Sequence, residues 1–278
     1  MLTVVRAYSS WRSAPTMLLD DTGRAETDLI QIRNIDGLDP VKATVNTSLY
    51  GSVDGASYVG GSVAGRNLVL TIHPNPNWDN WTYEALRKLL YSYFMSKRSI
   101  RLVFESDDMA PVEISGIVED VAVNPFNKDQ EIQVSIVCPN PYFSSVDPVV
   151  LTGQSNMSQP VVIDYKGTIE TGFKVKVTYV SGTAPTTIEV QVGEPQVTDL
   201  VVSSGVDASN YYEMNSVAMR KYVQNINIGS GVITNILPKV LEGSTWPLFQ
   251  PGENEFLVIT NQGVQDWELT YFEQFGGL

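Results

Sequence analysis

IQIRNIDGLDPVKATVNTSLYGSVDGASYVGGSVAGRNLVLTI, from Ile30 to Ile72, is the stretch of this chain that says most about its fold. Apolar residues alternate with polar ones before a Gly-Leu-Asp-Pro turn, keep period two from Val41 to Val45, and alternate again from Leu68 to Ile72. Such alternation is typical of strands with one buried face, and clustered glycines indicate turns. The stretch predicts half-buried strands on either side of a long glycine-rich excursion, with almost no reactive side chains.

The composition predicts a globular chain of two domains. The chain has 278 residues, of which 43% are hydrophobic and 10% aromatic, enough for packed cores. No window approaches the roughly 20 apolar residues of a membrane-spanning helix. The start, MLTVVRAYSSWRSAP, lacks the basic region and apolar stretch of a signal peptide. We therefore expect synthesis and folding in a cytoplasm, without membrane insertion.

The formal charge of −13 is shared almost evenly between the two halves of the chain. A uniformly acidic surface repels phosphate backbones, so the charge argues against a protein that reads nucleic-acid sequence. The same acidity is compatible with lining a passage through which DNA slides without sticking.

One amphipathic helix is predicted in the first half, in NWTYEALRKLLYSYFM, at about residues 81–95. Its apolar face comprises Leu86, Leu89, Leu90, Tyr93 and Phe94. Three residues are competent N-caps, so its start stays open between Asp79, Asn80 and Thr82.

Strand patterns return after the helix, and a turn-rich break, PNPYFSSVDP, places a domain boundary near Asp147. Residues 1–147 are predicted to form an α+β domain, a β-sandwich or barrel-like sheet with one helix packed on it. Residues 148–278 contain short β-rich runs and no comparable helix, which predicts an all-β sandwich. The predicted fold class is mainly β.

The sequence offers little for catalysis, because it contains one histidine, His73, and one cysteine, Cys138. A nucleophilic triad would have to use these two residues, and zinc sites need several such ligands. The other candidates are adjacent acids, which on a strand point to opposite faces: Asp107 with Asp108, and Glu119 with Asp120. We predict no catalytic, metal or cofactor site, and hence no enzyme.

Two stretches carry a resemblance to a known family. IRNIDGLDPVKATVNTSLYGSVDGASYVGG, the following GRNLVLTI and the helix resemble the N-terminal domain of the distal tail proteins of long-tailed bacteriophages, often called Dit. NILPKVLEGSTWPLFQPGENEF is similar to the end of their C-terminal domain. The matched positions are Gly37, Leu38, Asp54, Gly55, Gly60 and Arg66 in the first, and Trp246, Pro251, Gly252 and Asn254 in the second.

The resemblance implies a structural virion protein rather than an enzyme. Such a protein forms a ring, expected to be hexameric, at the distal end of the tail tube, and DNA passes through its lumen without specific binding. Its implied partners are the tail tube protein, the baseplate hub or tail-associated protein, and receptor-binding or adhesion proteins. The implied folds are a tail-tube-like N-terminal domain with a helix and an extended hairpin, and a galectin-like C-terminal sandwich.

The glycine-rich excursion is the candidate assembly region, because strands next to it can pair with a neighbour's edge and a closed ring removes exposed edges. We expect Tyr50 to Gly65 to lie at subunit or ring-to-ring contacts, with a mobile surface loop as the alternative. The candidate residues are Tyr50, Asp54, Gly55, Tyr58, Gly60 and Gly65.

The alternative function is a carbohydrate-binding module that contributes to recognition of the host surface. Sandwich domains with exposed aromatic residues often stack sugars, and the candidates here are Tyr211, Tyr212, Trp246 and Trp267. Trp246 lies in a Trp-x-Leu alternation that also suits a core position. A galectin-like fold by itself does not establish sugar binding.

Overall fold

A computed structural model describes residues 2–10, 16–20, 29–51, 53–76, 81–123, 130–157, 159–193 and 197–278. The chain forms two compact units, one of Met1–Val146 with Phe275–Leu278 and one of Asp147–Gln274. The sequence-based division assigned the last four residues to the second domain, and this was wrong. Phe275 and Leu278 pack against the core of the first unit, and the Leu278 amide donates a 3.1 Å hydrogen bond to the Leu38 carbonyl.

The described residues of the first unit form strands and one helix. Its elements are β1 (Leu2–Ser9), β2 (Thr16–Asp20), β3 (Ile30–Asp36), β4 (Ala43–Leu49), β5 (Ala56–Val63), β6 (Arg66–Pro74), α1 (Tyr83–Tyr93), β7 (Ser99–Ser106), β8 (Val112–Val123), β9 (Ile132–Cys138) and β10 (Phe143–Ser145). The last strand of the chain is β21 (Gln274–Phe275), which pairs with β10.

Seven of these strands form one curled antiparallel sheet in the order β2-β1-β7-β8-β9-β6-β3, and β10 and β21 extend it from β8. The strands at the two ends of the order, β2 and β3, lie close to each other, so the sheet curls toward a barrel. Strands β4 and β5 are not part of this sheet and pair only with each other among the described residues.

The alternation in β6 builds the centre of the first core. Leu68, Leu70 and Ile72 are buried, and the residues between them face outward. The strand pairs with β3 on one side and β9 on the other. At the end of β3, Gly37 has a φ of +94°, and a Cβ there would lie 2.2 Å from the Asn67 carbonyl oxygen. Both the positive φ and the close carbonyl require glycine at the predicted Gly-Leu-Asp-Pro turn.

Helix α1 confirms the prediction of one amphipathic helix and is shorter than predicted. Thr82 is its N-cap, and the Thr82 hydroxyl accepts a 3.3 Å hydrogen bond from the Ala85 amide. Asp79 and Asn80 lie outside the described residues. Leu86 and Leu90 are buried in the first core, so the helix packs on the sheet as its apolar face indicated. None of the described helices is long and apolar enough to cross a membrane.

The second unit is built almost entirely of strands. They are β11 (Val149–Gln154), β12 (Val161–Tyr165), β13 (Phe173–Ser181), β14 (Ile188–Gly193), β15 (Thr198–Val202), β16 (Asn210–Asn215), β17 (Tyr222–Asn227), β18 (Ile233–Asn235), β19 (Gly252–Thr260) and β20 (Val264–Tyr271). One sheet has the order β11-β20-β13-β16-β17-β18, and the other has the order β12-β19-β14-β15. The mainly β fold class is confirmed.

Aromatic rings hold the core of the second unit together. Phe249 stacks on Phe173 with ring centroids 4.5 Å apart, and it meets Tyr271 edge to face at 5.2 Å. Phe256 meets Trp267 at 5.0 Å. Such pairs add to the free energy of burial, so this cluster dominates the packing between the two sheets.

Replacing Phe249 tests this account of the second core. Phe249→Ala should lower the free energy of unfolding of the second unit by about 3–5 kcal/mol, because the ring is fully buried and its removal leaves a cavity. Calorimetry on the full chain measures the effect, with the exposed Phe272→Ala as the control, for which the expected loss is below about 0.5 kcal/mol. Equal effects of the two substitutions would contradict it.

Candidate assembly surface

The glycine-rich excursion, Tyr50 to Gly65, supplies the turn and the second strand of a hairpin formed by β4 and β5. Every residue of β4 is exposed, including Leu49 at 83%, and Tyr58 in β5 is 70% exposed. A lone two-stranded hairpin is marginally stable in water at best. The prediction of a half-buried strand at Ala43 to Val45 was therefore wrong, because every residue of this strand is exposed.

The register of the hairpin separates an apolar face from a polar one. Directly paired residues share a face, and each face alternates along the strand. One face contains Ala43, Val45, Thr47, Leu49, Ala56, Tyr58, Gly61 and Val63. The other contains Thr44, Asn46, Ser48, Ser57, Gly60 and Ser62. The hairpin is therefore amphipathic, although both of its faces are open to solvent.

Contacts at Gly61 confirm that Tyr58 belongs to the apolar face. A Cβ at Gly61 would lie 3.1 Å from the Tyr58 hydroxyl oxygen, so the tyrosine side chain extends across the glycine. Val59 is the extra residue of a bulge between the pairs Asn46–Gly60 and Thr47–Tyr58. Such a bulge bends and twists a strand locally.

The hairpin carries almost no charge. Asp54, in the turn between β4 and β5, is the single charged residue from Ala43 to Gly65. Exposed edge strands in soluble proteins are usually protected by charged side chains or proline. Exposed apolar groups together with two unprotected edges make this hairpin a candidate contact surface.

The structure brings the predicted assembly residues together on this hairpin. Tyr50, Asp54 and Gly55 lie in its turn, Tyr58 and Gly60 lie on β5, and Gly65 follows β5. Sequence reasoning missed the exposed apolar side chains of β4. It treated the alternation up to Val45 as part of a half-buried strand, and it did not include Leu49. The lack of charge around these side chains was the available signal.

The root of the hairpin is held by Arg66, the first residue of β6, whose side chain is almost completely buried. Its guanidinium donates to the carbonyls of Gly37 and Asp39, which precede β4, with the Asp39 bond at 2.8 Å. It also donates to Pro141, at 2.7 Å, and to Gly276. The guanidinium stacks 4.5 Å from the centroid of the Phe143 ring. No sequence pattern indicated that this arginine is buried.

The four predicted sugar-contact aromatics do not form one surface. Tyr212 is fully buried on the inner face of β16, and Trp267 is buried with its indole nitrogen donating a 2.9 Å hydrogen bond to the Gln154 carbonyl. A Cβ at Gly153 would lie 2.4 Å from the Trp267 ring, so the indole packs directly on that glycine. Rings in these positions cannot stack on a sugar, and their assignment as contact residues was wrong.

The other two aromatics are half-buried, and each has a lysine against its ring. The Lys176 ammonium lies 4.7 Å from the ring centroid of Tyr211, and the Lys221 ammonium lies 5.4 Å from that of Trp246. Trp246 also packs against the core of the second unit. These contacts occupy ring surface that a sugar would need.

The matched C-terminal turn is rigid and has a structural explanation. The Asn254 side chain is buried, accepts a 2.9 Å hydrogen bond from the Gln250 amide and donates to the carbonyls of Gln250 and Gly252. Gly252 has a φ of +96°, which favours glycine. The Pro-Gly-x-Asn pattern thus starts β19 and supplies no reactive group.

The described residues contain no group of three or more His, Cys, Asp or Glu side chains placed to hold a metal ion. Burial raises the pKa of the Cys138 thiol to about 11, which disfavours the thiolate that a nucleophile requires. The carboxylate of Glu119 accepts a 2.9 Å hydrogen bond from the Ser135 hydroxyl on the neighbouring strand. Asp120 accepts one from the Val121 amide.

The outer face of the four-stranded sheet in the second unit is acidic. Glu189 lies half-buried on β14, between Val201 of β15 and Ile259 of β19. Burial raises the pKa of Glu189, and the nearby charge of Asp199 raises it further. The ionised carboxylate is therefore slightly unfavourable in the folded state.

Three solved structures are similar to this chain to different degrees. The crystal structure of SPP1 Dit (gp 19.1), described as a paradigm of the hub adsorption apparatus in phages infecting Gram-positive hosts, matches 98% of this chain and 100% of its own, with a TM-score of 0.64 and 16% identity. The phage P2 baseplate in its activated conformation matches with TM-scores of 0.43 with Ca and 0.42 with Sr, each at 11% identity. These two cover 97% and 96% of this chain, and 98% and 97% of their own.

No protein family and no curated protein matched the chain. The predicted resemblance to distal tail proteins is nevertheless confirmed at the level of the fold by the SPP1 Dit structure.

Glu189→Gln should stabilise the second unit at pH 7 and not at low pH. A raised pKa means that the folded chain keeps the proton to higher pH than the unfolded chain, so stability falls as the pH rises through the two pKa values. The gain should be below about 1 kcal/mol because solvent screens this site. It should vanish below about pH 4, where the carboxyl is protonated in both states.

Thermal unfolding at both pH values measures this difference, with the exposed Glu255→Gln on the same sheet face as the control. A stabilisation by Glu189→Gln that is equally large at low pH would contradict the role of ionisation.

Proposed function

We propose that this chain is a structural component of a bacteriophage tail. Copies of it, six in the expected ring, would lie at the distal end of the tail tube and connect the tube to the baseplate hub and to the host-adhesion proteins. DNA would pass through the lumen of the ring. The proposal is supported by a fold shared with SPP1 Dit over the whole chain and by the uncovered hairpin of β4 and β5.

The hairpin is the observation on which this proposal depends most. Its apolar face needs a cover, and a second copy of the chain can supply one in an identical way around a ring. Contacts between two different surfaces of identical subunits produce rings when the rotation closes. Closure also covers strand edges that would otherwise invite aggregation.

The charge of the chain fits a conduit for DNA. A formal charge of −13 on each copy would disfavour adhesion of a phosphate backbone, and long-range repulsion of this kind requires no specific site. The partners in this proposal are the tail tube protein, the hub or tail-associated protein, and receptor-binding or adhesion proteins. The protein would be made in the cytoplasm of the bacterial host, would act in the virion, and would be no enzyme.

A carbohydrate-binding role for the second unit has less support. Two of its four predicted contact aromatics are buried, and the other two have a lysine against their rings.

Charges placed on either face of the hairpin test the proposal. Val45→Asp with Leu49→Asp puts two carboxylates on the apolar face and should abolish assembly, because burying an unpaired charge in an interface is strongly unfavourable. Asn46→Asp with Ser48→Asp adds the same charge to the polar face of the same strand and should leave assembly intact. Native mass measurement and electron microscopy, scored for a ring with a central hole, give the readout.

Thermal unfolding of both variants checks that the first unit is folded, and neither should lose more than about 0.5 kcal/mol at these exposed positions. A wild-type chain that stays monomeric and never joins a tail would refute the proposal. Equal disruption by the two variants would show that the apolar face is not the contact.

A further inference from the structure

The two chain segments that connect the hairpin to the first unit converge on one side chain. The incoming segment runs from Gly37 to Lys42, and the Arg66 guanidinium binds the carbonyls of Gly37 and Asp39 within it. The outgoing segment, Ala64 and Gly65, ends at Arg66 itself. The hairpin has no strand partner outside itself among the described residues, so this root determines its position.

The end of the chain binds the same root. Gly276 supplies one of the four carbonyls that accept from Arg66, and the Leu278 amide donates to the Leu38 carbonyl at 3.1 Å. Gly277 lies so close to Pro40 that a Cβ there would be 2.7 Å from the proline Cδ and 2.8 Å from its nitrogen. Tail and root therefore form one closely packed cluster.

Loss of any of the four carbonyl acceptors would destabilise this cluster. The guanidinium is buried, its bonds go to neutral carbonyls, and it forms no ion pair with a described carboxylate. Burial lowers the pKa of Arg66, so desolvation is the largest influence on its charge. A buried N–H group that loses its acceptor costs its full desolvation energy. If one carbonyl moves away, the free energy is therefore lowered when water enters the cluster and hydrates the guanidinium.

We propose that the C-terminal residues Phe275–Leu278 act as a clasp that, through Arg66, holds the hairpin of β4 and β5 in the position needed for assembly. The chain leaves the first unit after Val146 and returns to it at Phe275, so the clasp closes only after the second unit has been made. A chain with a displaced tail keeps its two cores and has a released hairpin. The link to assembly rests on the proposed function, whereas the link between tail and hairpin does not.

Trypsin cleavage of the full-length protein tests the clasp. Lys42 is exposed within the root, and Lys221, exposed in the second unit, serves as an internal reference. Gly277→Val displaces the tail from Pro40 and should accelerate cleavage after Lys42 about tenfold, because proteolysis follows the population of the opened form. Cleavage after Lys221 should not change. Mass spectrometry of a time course gives both rates.

The matched control is Gly51→Val, because a Cβ at Gly51 meets no atom within 4 Å and the residue lies at the turn of the same hairpin. Trypsin should cleave this variant after Lys42 at the wild-type rate. Arg66→Lys is the second variant, since one ammonium cannot replace a planar group that spans four carbonyls. It should also accelerate cleavage after Lys42. If cleavage after Lys42 is no faster in Gly277→Val and Arg66→Lys than in the wild type, the clasp is overturned.

Native mass measurement on the same samples separates this inference from the proposed function. Loss of the oligomer by Gly277→Val is expected, with the wild type as the reference. Fast cleavage in a variant that still assembles like the wild type would overturn the link between clasp and assembly. A wild type that never assembles would count against the proposed function, while the cleavage rates would still decide whether the tail holds the hairpin.

Discussion

The buried guanidinium of Arg66 is the constraint on which the arrangement of the first unit depends. A cation out of water is tolerated only when hydrogen bonds replace its hydration, and here four backbone carbonyls and the Phe143 ring do so. The acceptors come from the segment before β4, the segment after β9 and the C-terminal tail. Satisfying one side chain thus requires three distant parts of the chain to meet.

The two cores and the hairpin differ in how much of their apolar surface is buried. In the first unit, α1 and the curled sheet bury each other's apolar faces, and in the second unit the aromatic cluster around Phe249 fills the space between two sheets. The hairpin has an equally regular alternation, and its apolar face is exposed. An apolar face built this regularly and left open is typical of a protein that is complete only in an assembly.

Predictions of secondary structure from local pattern agreed with the structure, and predictions of which faces are covered agreed only in part. Helix α1 follows from the spacing of its leucines and a capping threonine. Tyr211 and Tyr212 are neighbours in one strand, and Tyr212 is buried whereas Tyr211 is only half-buried. Neighbouring residues lie on opposite faces of a strand, and the sequence does not specify which face is covered. Alternation at Val45 likewise indicated a face, and not whether anything packs on it.

The mainly β class, the amphipathic helix and the scarcity of reactive groups could be predicted without a structure, because they follow from periodicity and composition. The resemblance to distal tail proteins came separately, from the two stretches that match that family's pattern. The burial of Arg66, the packing of Trp267 on Gly153 and the return of the tail to the first unit became visible only in the folded chain. They depend on contacts between residues that are far apart in the sequence. Desolvation, close packing and hydrogen bonds between residues more than two hundred positions apart arise only when the chain has folded.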